Sequence, residues 1–455
     1  MNNYADFIQT KTQLSGDYGF SPISMPDFLF DFQKHLVEWC IKKGRSSLFA
    51  DCGLGKTPMQ LVWADNIVRK TNGLVLVLTP LAVSYQTIKE AEKFGIEATR
   101  SRDGRIDISS GIIVTNYEQL GKFDPDDFAG AVCDESACIK SFDAQRTSDV
   151  TEFMRRLKYR LRCTATPSPN DFFELGTSSE ALGELGYRDM LGKFFKQETK
   201  KDHLGWGRAK YRFRGHAEQP FWRWVCSWAR ACRKPSDLGF DDGDFILPPL
   251  NEVEIRVECN KSRPGELFAL PATNMDEQRA ERRLTLNERC ERAAEEIITH
   301  DGASLSWCHL NPEADLMEKL IPDALQVSGS MSDEQKEERL LAFSSGELST
   351  LVTKPKIGSW GMNWQHCHHQ VMFPSDSFEQ YYQGVRRSWR FGQKNPVEIK
   401  IITTEGGRGV LKNLQRKSDQ ANRMFESLSR FMNDELLIGR TEYIGAHNER
   451  IPQWL

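Results

Sequence analysis

At 455 residues the chain is too long for one hydrophobic core and suits two or three domains. Its 60 Lys and Arg against 64 Asp and Glu leave a net charge of −4, so no global excess of cations advertises nucleic acid, and any such surface must be a local patch. No stretch approaches the ~20 apolar residues of a membrane span, and the amino-terminal stretch lacks the apolar core of a signal peptide, so no membrane partner is expected.

In chain order, "FQKHLVEWCIKKG" (residues 32–44) predicts a helix with Phe32, Leu36, Trp39 and Cys40 on one face. "SSLFAD" predicts a short strand, and "TPMQLVWADNIVRK" a helix with Pro58 in its first turn, where a missing N–H costs little. "GLVLVLTP", "GIIVTNYE", "GAVCDES" and "LRCTATPSPN" each carry an apolar run fit for a strand covered on both faces. Beyond residue 300 the alternation resumes. "ASLSWCHL", "ALQVSGS", "LSTLVTK", "HHQVMFP" and "VEIKIITT" predict strands. "NPEADLMEKL" predicts a helix that Asn311 caps and Pro312 starts, and "SDEQKEERLLAF" one opened by a Ser332/Gln335 capping box. "SFEQYYQGVRR" and a long segment ending at Met432 predict the last helices. The fold class is therefore α/β, with two parallel-sheet units. The expected boundaries are an amino-terminal segment 1–25, a first unit 26–175, a basic and aromatic insertion 176–250, a second unit 251–432 and a tail 433–455. Eleven cysteines with no regular spacing, several inside apolar runs (Cys133, Cys163, Cys308), predict reduced, buried thiols in a cytoplasmic protein.

Three stretches carry chemistry. "ADCGLGKTP" (50–58) lies between a predicted strand and helix. Gly53 and Gly55 let the backbone turn tightly and aim N–H groups at a phosphate, Lys56 supplies a charge to the β- and γ-phosphates, and Thr57 offers a hydroxyl to Mg²⁺. The strict pattern wants Gly where Ala50 stands. "VCDES" (132–136) ends an apolar strand with two carboxylates, costly unless used: Asp134 to hold Mg²⁺ through water and Glu135 to act as general base on the attacking water. "QGVRRSWRFGQ" (383–393) clusters Arg387 and Arg390 at a helix end, framed by Gln383, Gly392 and Gln393. These cations either neutralise charge developing on ATP, as a finger worth ~10³ to 10⁵ in rate, or form a solvated basic helix end favoured by the helix dipole.

With these residues in place, the stretch from about 26 to 405 resembles a helicase-superfamily-two ATPase of the Swi/Snf-like branch. Gln33 in "FDFQKHLVEW" resembles the adenine-reading glutamine. "GLGKT" matches motif I (the Walker A loop), "LTPLAVSYQ" resembles motif Ia, "VTNYE" the element after it, and "DES" followed by Ala137 the DExx box. "TATP" (164–167) resembles motif III, "GMNW" carries Gly361 and Asn363 of motif V, and "QGVRRSWRFGQ" resembles motif VI, assigning Gln383, Arg387 and Arg390. The box departs from the branch, which usually has His where this chain has Ser and Ala. The compact length and the "NWQHCHH" and "YYQGVRRSWRFGQ" stretches are most similar to forms from bacteriophages and bacterial mobile elements. The resemblance implies two RecA-like lobes, with ATP and Mg²⁺ as cofactors. It also implies duplex DNA as a sequence-independent partner, phage or host recombination and replication proteins as candidate partners, and a bacterial host cytoplasm as location. Lys56, Asp134, Glu135, Gln383, Arg387 and Arg390 would be catalytic. Gln33, Gly53, Gly55, Lys56, Thr57, Gly361 and Asn363 would bind nucleotide, with Thr57 and Asp134 on Mg²⁺.

Residues 193–234 hold twelve Lys and Arg against three Asp and Glu, interleaved with Trp206, Tyr211, Phe213, Trp222, Trp224 and Trp228. The rings suit either stacking on bases or a small core of their own, with Lys210, Arg212 and Arg214 on phosphate. The resemblance adds Thr115, Thr164 and Thr166 to the nucleic-acid side. "HCHH" (366–369) cannot wrap one metal ion from a strand, and Cys226, Cys232, His203 and His216 match no standard zinc spacing. The expected activity is ATP-driven translocation on duplex DNA. Strand-separating helicase, a non-hydrolysing ATP switch and the motor subunit of a restriction or defence complex remain as alternatives.

Overall fold

The computed structural model describes residues 18–139, 141–198, 210–258, 275–358 and 363–442. Two compact units divide the chain: residues 1–242 with 421–455, and residues 243–420.

In the first unit the apolar runs form β1 (Arg45–Ala50), β2 (Leu74–Thr79), β3 (Ala98–Arg100), β4 (Gly111–Asn116), β5 (Phe128–Cys133), β6 (Tyr159–Cys163), the hairpin pair β7 (Phe195–Glu198) and β8 (Lys210–Phe213), and β9 (Ala229–Cys232). Seven of them build one sheet in the order β3-β4-β2-β5-β6-β1-β9, every pair parallel. β2 is buried at every position, as a strand covered by helices on both faces must be. With all strands parallel, the carboxyl ends of β1, β5 and β6 share one edge, the usual place for ligands in such sheets. The second unit contains β10 (Leu250–Val257), β11 (Ser304–Trp307), β12 (Leu325–Val327), β13 (Thr350–Thr353), β14 (His369–Met372) and β15 (Val397–Thr404). These form a second parallel sheet, β10-β15-β14-β11-β13-β12, over a core that includes Trp307, Phe343, Trp364 and Met372. The α/β class with two parallel sheets, as expected of two RecA-like lobes, is thus realised.

Three local expectations change. Residues 176–250 are not a separate layer: β9 pairs with β1 and extends the first sheet. The boundary accordingly falls after Asp242, and residues from Ala421 onward count with the first unit rather than the second. The reason is apolar. Phe221, Trp222, Trp224 and Trp228 are at most 1% exposed. Trp228 meets Phe49 of β1 edge-on at 6.1 Å, and Trp224 lies 5.3 Å from Phe194. On the final helix (Arg408–Glu442), Met424, Phe425, Leu428, Phe431 and Met432 are buried. Cys226 Sγ donates to the Leu428 carbonyl at 3.7 Å, and the Arg233 guanidinium lies 5.5 Å over the Phe425 ring. The tryptophans are therefore core, and the stacking-platform reading fails for Trp222, Trp224 and Trp228; Trp206 and His203 lie outside the described residues.

The third change is a helix cap. The helix Asn311–Leu320 begins where expected, but Glu313 rather than Asn311 caps it, its carboxylate accepting from the N–H groups of His309 and Leu310 at 2.8 Å each. A carboxylate reaches two donors at once, and Arg289 fixes it from behind at 2.7 Å. Ser332 and Gln335 form the expected reciprocal box, at 3.3 and 3.2 Å. Every described cysteine is a free thiol, and all but Cys138 are buried. Among the described residues no helix is long and apolar enough to cross a membrane.

Because the rings are core, Trp224→Ala is expected to cost about 3–5 kcal/mol of stability, whereas Arg212→Ala on the exposed face of β8 should cost within about 0.5. Chemical denaturation of both variants checks the contrast.

Candidate functional site

The loop expected to hold phosphate leaves β1 at the buried Ala50 and ends where the helix Lys56–Thr71 begins. Gly53 and Gly55 hold φ of 87° and 74°, the left-handed region that disfavours any residue with a Cβ. At Gly55 space forbids it as well, since a Cβ would stand 2.4 Å from Gln33 Nε2. Gln33, buried on the helix Asp31–Lys43, donates that Nε2 to the Leu54 carbonyl at 2.8 Å, and its Oε1 accepts from the Phe30 N–H at 3.0 Å. It splints the loop while one amide proton and one lone pair remain for a ligand. Lys56 folds back into the loop, where Nζ donates to the carbonyls of Ala50 at 3.0 Å and Asp51 at 3.3 Å. Thr57 is half-buried in the first helical turn.

The carboxylates stand two strands away, past the end of β5 with β6 between. Asp134 is 5% exposed and Glu135 9%. Gln60, one turn beyond Lys56, donates to Asp134 Oδ1 at 2.7 Å, and the Glu135 N–H donates to the same oxygen at 3.0 Å. The Tyr117 hydroxyl donates to the Asp134 backbone carbonyl at 2.6 Å. Burial, then the neighbouring Glu135 charge, push the Asp134 carboxyl up to about 7, against the Gln60 hydrogen bond and the Lys56 charge, which pull it down. Glu135 adopts φ 47°, a left-handed backbone that a non-glycine residue holds at a cost of ~1–3 kcal/mol. Its Oε2 is buried with no hydrogen-bond partner among the described residues. Strain and an unsatisfied buried oxygen on the same residue mark a functional position.

These residues fit Mg²⁺ and a nucleotide triphosphate. A cation beside Asp134 would offset the cost of ionising it, and Lys56 could exchange the carbonyls of Ala50 and Asp51 for phosphate oxygens. Gln60 was missed in the sequence, although its spacing of four from Lys56 puts both on one helical face. Arg162 was missed with less excuse for finding it, since an arginine in the middle of an apolar strand gives no local signal. It is 1% exposed on β6, paired in register with Cys133, and burial holds its pKa below the ordinary arginine value.

In the second unit the helix Phe378–Val385 carries Gln383, which is 1% exposed with both amide atoms unpartnered among the described residues. Arg387 is 4% exposed, and its Nε donates to the Gln383 carbonyl at 3.0 Å. A solvated basic helix end would expose it, so that reading does not hold for Arg387; Arg390 is half-buried. The closing Gly-Gln pair is structural. Gly392 has φ 88°, and a Cβ there would meet Gln365 Nε2 at 2.6 Å. Gln393 donates to the carbonyls of Gln365 and Ser388 at 2.9 and 3.2 Å while accepting from the Lys394 and Asn395 N–H groups. The Trp364 N–H donates to the Arg387 carbonyl at 3.0 Å, tying the segment that leads into β14 to this helix end. Asn363 is exposed, and Gly361 lies outside the described residues.

The residues expected on nucleic acid divide. Thr115 is buried at the end of β4 and spends its hydroxyl on the Ser101 carbonyl at 2.9 Å. Thr164 Oγ1 accepts from the Thr166 N–H at 3.1 Å, and the buried Thr166 hydroxyl has no partner among the described residues. Both follow β6, on the edge that carries Asp134. Lys210 lies on β8, and Arg212 and Arg214 are exposed, with Arg214 Nε donating to the Phe195 carbonyl at 2.8 Å. Cys226 and Cys232 are buried whereas His216 is exposed, and among the described residues no group of three or more His, Cys, Asp or Glu could hold a metal ion.

No protein-family model matches the chain, and no curated protein matches it. Among solved structures it is similar to the SWI2/SNF2 ATPase core of Sulfolobus solfataricus in complex with dsDNA, at 15% identity and a TM-score of 0.41, over 91% of this chain and 96% of that one.

A carboxyl raised from 3.8 to about 7 binds its proton in the folded state while the unfolded chain has lost it, so it lowers stability progressively as pH rises between those values. Asp134→Asn keeps the oxygen that Gln60 and Glu135 bond. Its stability advantage over wild type should be small near pH 4 and grow towards pH 7, as followed by denaturation at a series of pH values. A pH-independent difference would mean the carboxyl is not raised.

Proposed function

We propose that this chain is an ATP- and Mg²⁺-dependent DNA translocase of the Swi/Snf-like type. The observation that carries the proposal is the unpartnered, buried Glu135 oxygen beside Asp134, with Gln60 joining that pair to the phosphate-loop helix. On this reading Gly53, Gly55 and Lys56 hold the phosphates, while Gln33 uses its remaining donor and acceptor on the base. Thr57, and Asp134 through water, would hold Mg²⁺, which would supply positive charge to the phosphates. Glu135 takes the proton of the attacking water, and Arg387 and Arg390 supply cations to the γ-phosphate as charge develops, with Gln383 and Asn363 beside them. Lys210, Arg212 and Arg214 meet DNA phosphates, with Thr164 and Thr166 linking that contact to the catalytic edge, so recognition is largely sequence-independent. The compact chain suits a phage or mobile-element form working in a bacterial cytoplasm with recombination or replication proteins.

The test is ATP turnover with no nucleic acid, with single strands and with duplex, followed by triplex displacement and strand separation. Duplex-stimulated turnover with triplex displacement and no unwinding is expected. Single-strand preference with unwinding would favour a helicase, and no turnover under any condition would favour an ATP switch. Arg390→Ala should slow single-turnover hydrolysis by ~10³ or more while ATP affinity, read by fluorescent-nucleotide titration, stays near wild type.

A further inference from the structure

Arg162 is a buried cation with no carboxylate partner among the described residues. Its Nη1 donates to the Thr177 carbonyl at 3.0 Å and its Nη2 to the Ser136 carbonyl at 3.1 Å, and its Nε has no partner among the described residues. A guanidinium is an expensive group to bury merely to fill a strand. What it accomplishes is a bridge between two backbone segments. One is the turn immediately after Glu135. The other is the helix Leu175–Leu182, whose Thr177 carbonyl faces the strand.

That helix leads outward. Gly176 packs so tightly on the helix Tyr187–Phe194 that a Cβ would come 2.4 Å from Met190 Cε and 2.7 Å from Tyr187 Cδ2. The helix Tyr187–Phe194 runs without a break into β7, which pairs with the basic strand β8. Arg214, just past β8, is tied to that junction, its N–H donating to the Phe194 carbonyl at 2.9 Å and its Nε to the Phe195 carbonyl at 2.8 Å. A second contact joins the outer helix to the chain beyond the acidic pair: the Tyr187 ring stacks on Phe142, seven residues past Glu135, at 4.3 Å and 11°. A displacement of the β7–β8 pair would thus meet a helix packed tightly on its neighbour, with Arg162 and the Phe142 ring as its contacts towards the segment after Glu135.

We propose that Arg162 is a positioning residue that transmits DNA occupancy of the β7–β8 hairpin to Glu135, with the Phe142–Tyr187 stack as the outer leg of the relay. The role rests on the translocase reading, and it assigns to Arg162 a coupling task that the buried Ser136 and Ala137, with their short side chains, cannot perform. Arg162, Phe142 and Tyr187 all lie within the first unit.

The test compares wild type, Arg162→Met, Arg162→Lys and Phe142→Leu in steady-state ATP turnover, with and without saturating duplex, alongside duplex affinity and thermal melting. Arg162→Met should lower the ratio of DNA-stimulated to basal kcat by about tenfold or more while KM for ATP and duplex affinity stay within about twofold. Arg162→Lys, whose ammonium can serve one carbonyl at a time, should recover part of the ratio. Phe142→Leu should leave basal turnover unchanged and lower the ratio several-fold, and it decides the matter if Arg162→Met does not fold. A wild-type ratio in Phe142→Leu and in any folded Arg162 variant overturns the relay. So does an equal fall of basal and stimulated rates with a lowered melting temperature, which is the signature of a brace. Wild type that no DNA stimulates overturns the translocase reading together with the relay, whereas stimulated wild type with unaffected variants overturns the relay alone.

Discussion

Two adjacent carboxylates are withheld from water at the end of one strand, and neither has a salt-bridge partner among the described residues. Keeping Asp134 there opposes folding above its ordinary pKa, because burial and the neighbouring Glu135 charge both work against its ionised form. The surroundings answer with hydrogen bonds, Gln60 on the side chain of Asp134, Tyr117 on its carbonyl and Arg162 on the carbonyl after Glu135, and with the charge of Lys56. Glu135 Oε2 has no hydrogen-bond partner among the described residues, and neither do its neighbours Ser136 Oγ and Arg162 Nε. What sets Glu135 apart is that the bare atom is a carboxylate oxygen on a left-handed backbone, which on the proposed reading faces the attacking water.

The parallel sheet makes this arrangement possible. The phosphate loop and the acidic turn are far apart in sequence, yet strand order puts both at the carboxyl edge with only β6 between them. β6 then serves twice: it ends in the Thr164–Thr166 turn, and it carries Arg162 beside the end of β5. In the second unit the same economy appears at the end of the helix Phe378–Val385, where Gln393 and Gly392 clamp the chain against Gln365 and hold Gln383 and Arg387 out of solvent.

The strands, the tight glycine turn after β1 and the acidic end of β5 were legible in the sequence because each is a local pattern: an apolar run, closely spaced glycines, charge at a strand end. The tryptophans were not, since a ring beside an arginine reads alike whether it stacks on a base or fills a core. What decides is β9 pairing with β1 and the apolar face of the final helix closing over it, both long-range events. The same holds for Glu313 displacing Asn311 as a cap, which depends on Arg289 on another helix. Arg162 is the extreme case. Within "YRLRC" it looks like an interruption, and only the fold brings Ser136 and Thr177 to its two ends.

The most direct measurement of the central claim is the fate of ATP in Glu135→Gln, an isosteric change that removes the proton acceptor and keeps the shape. Nucleotide binding by titration and single-turnover hydrolysis should separate cleanly: affinity close to that of wild type, and hydrolysis reduced by at least ~10² to 10⁴, the span general-base catalysis contributes. Hydrolysis at the wild-type rate in that variant would contradict the account, because the carboxylate the fold leaves bare would then have no part in the chemistry.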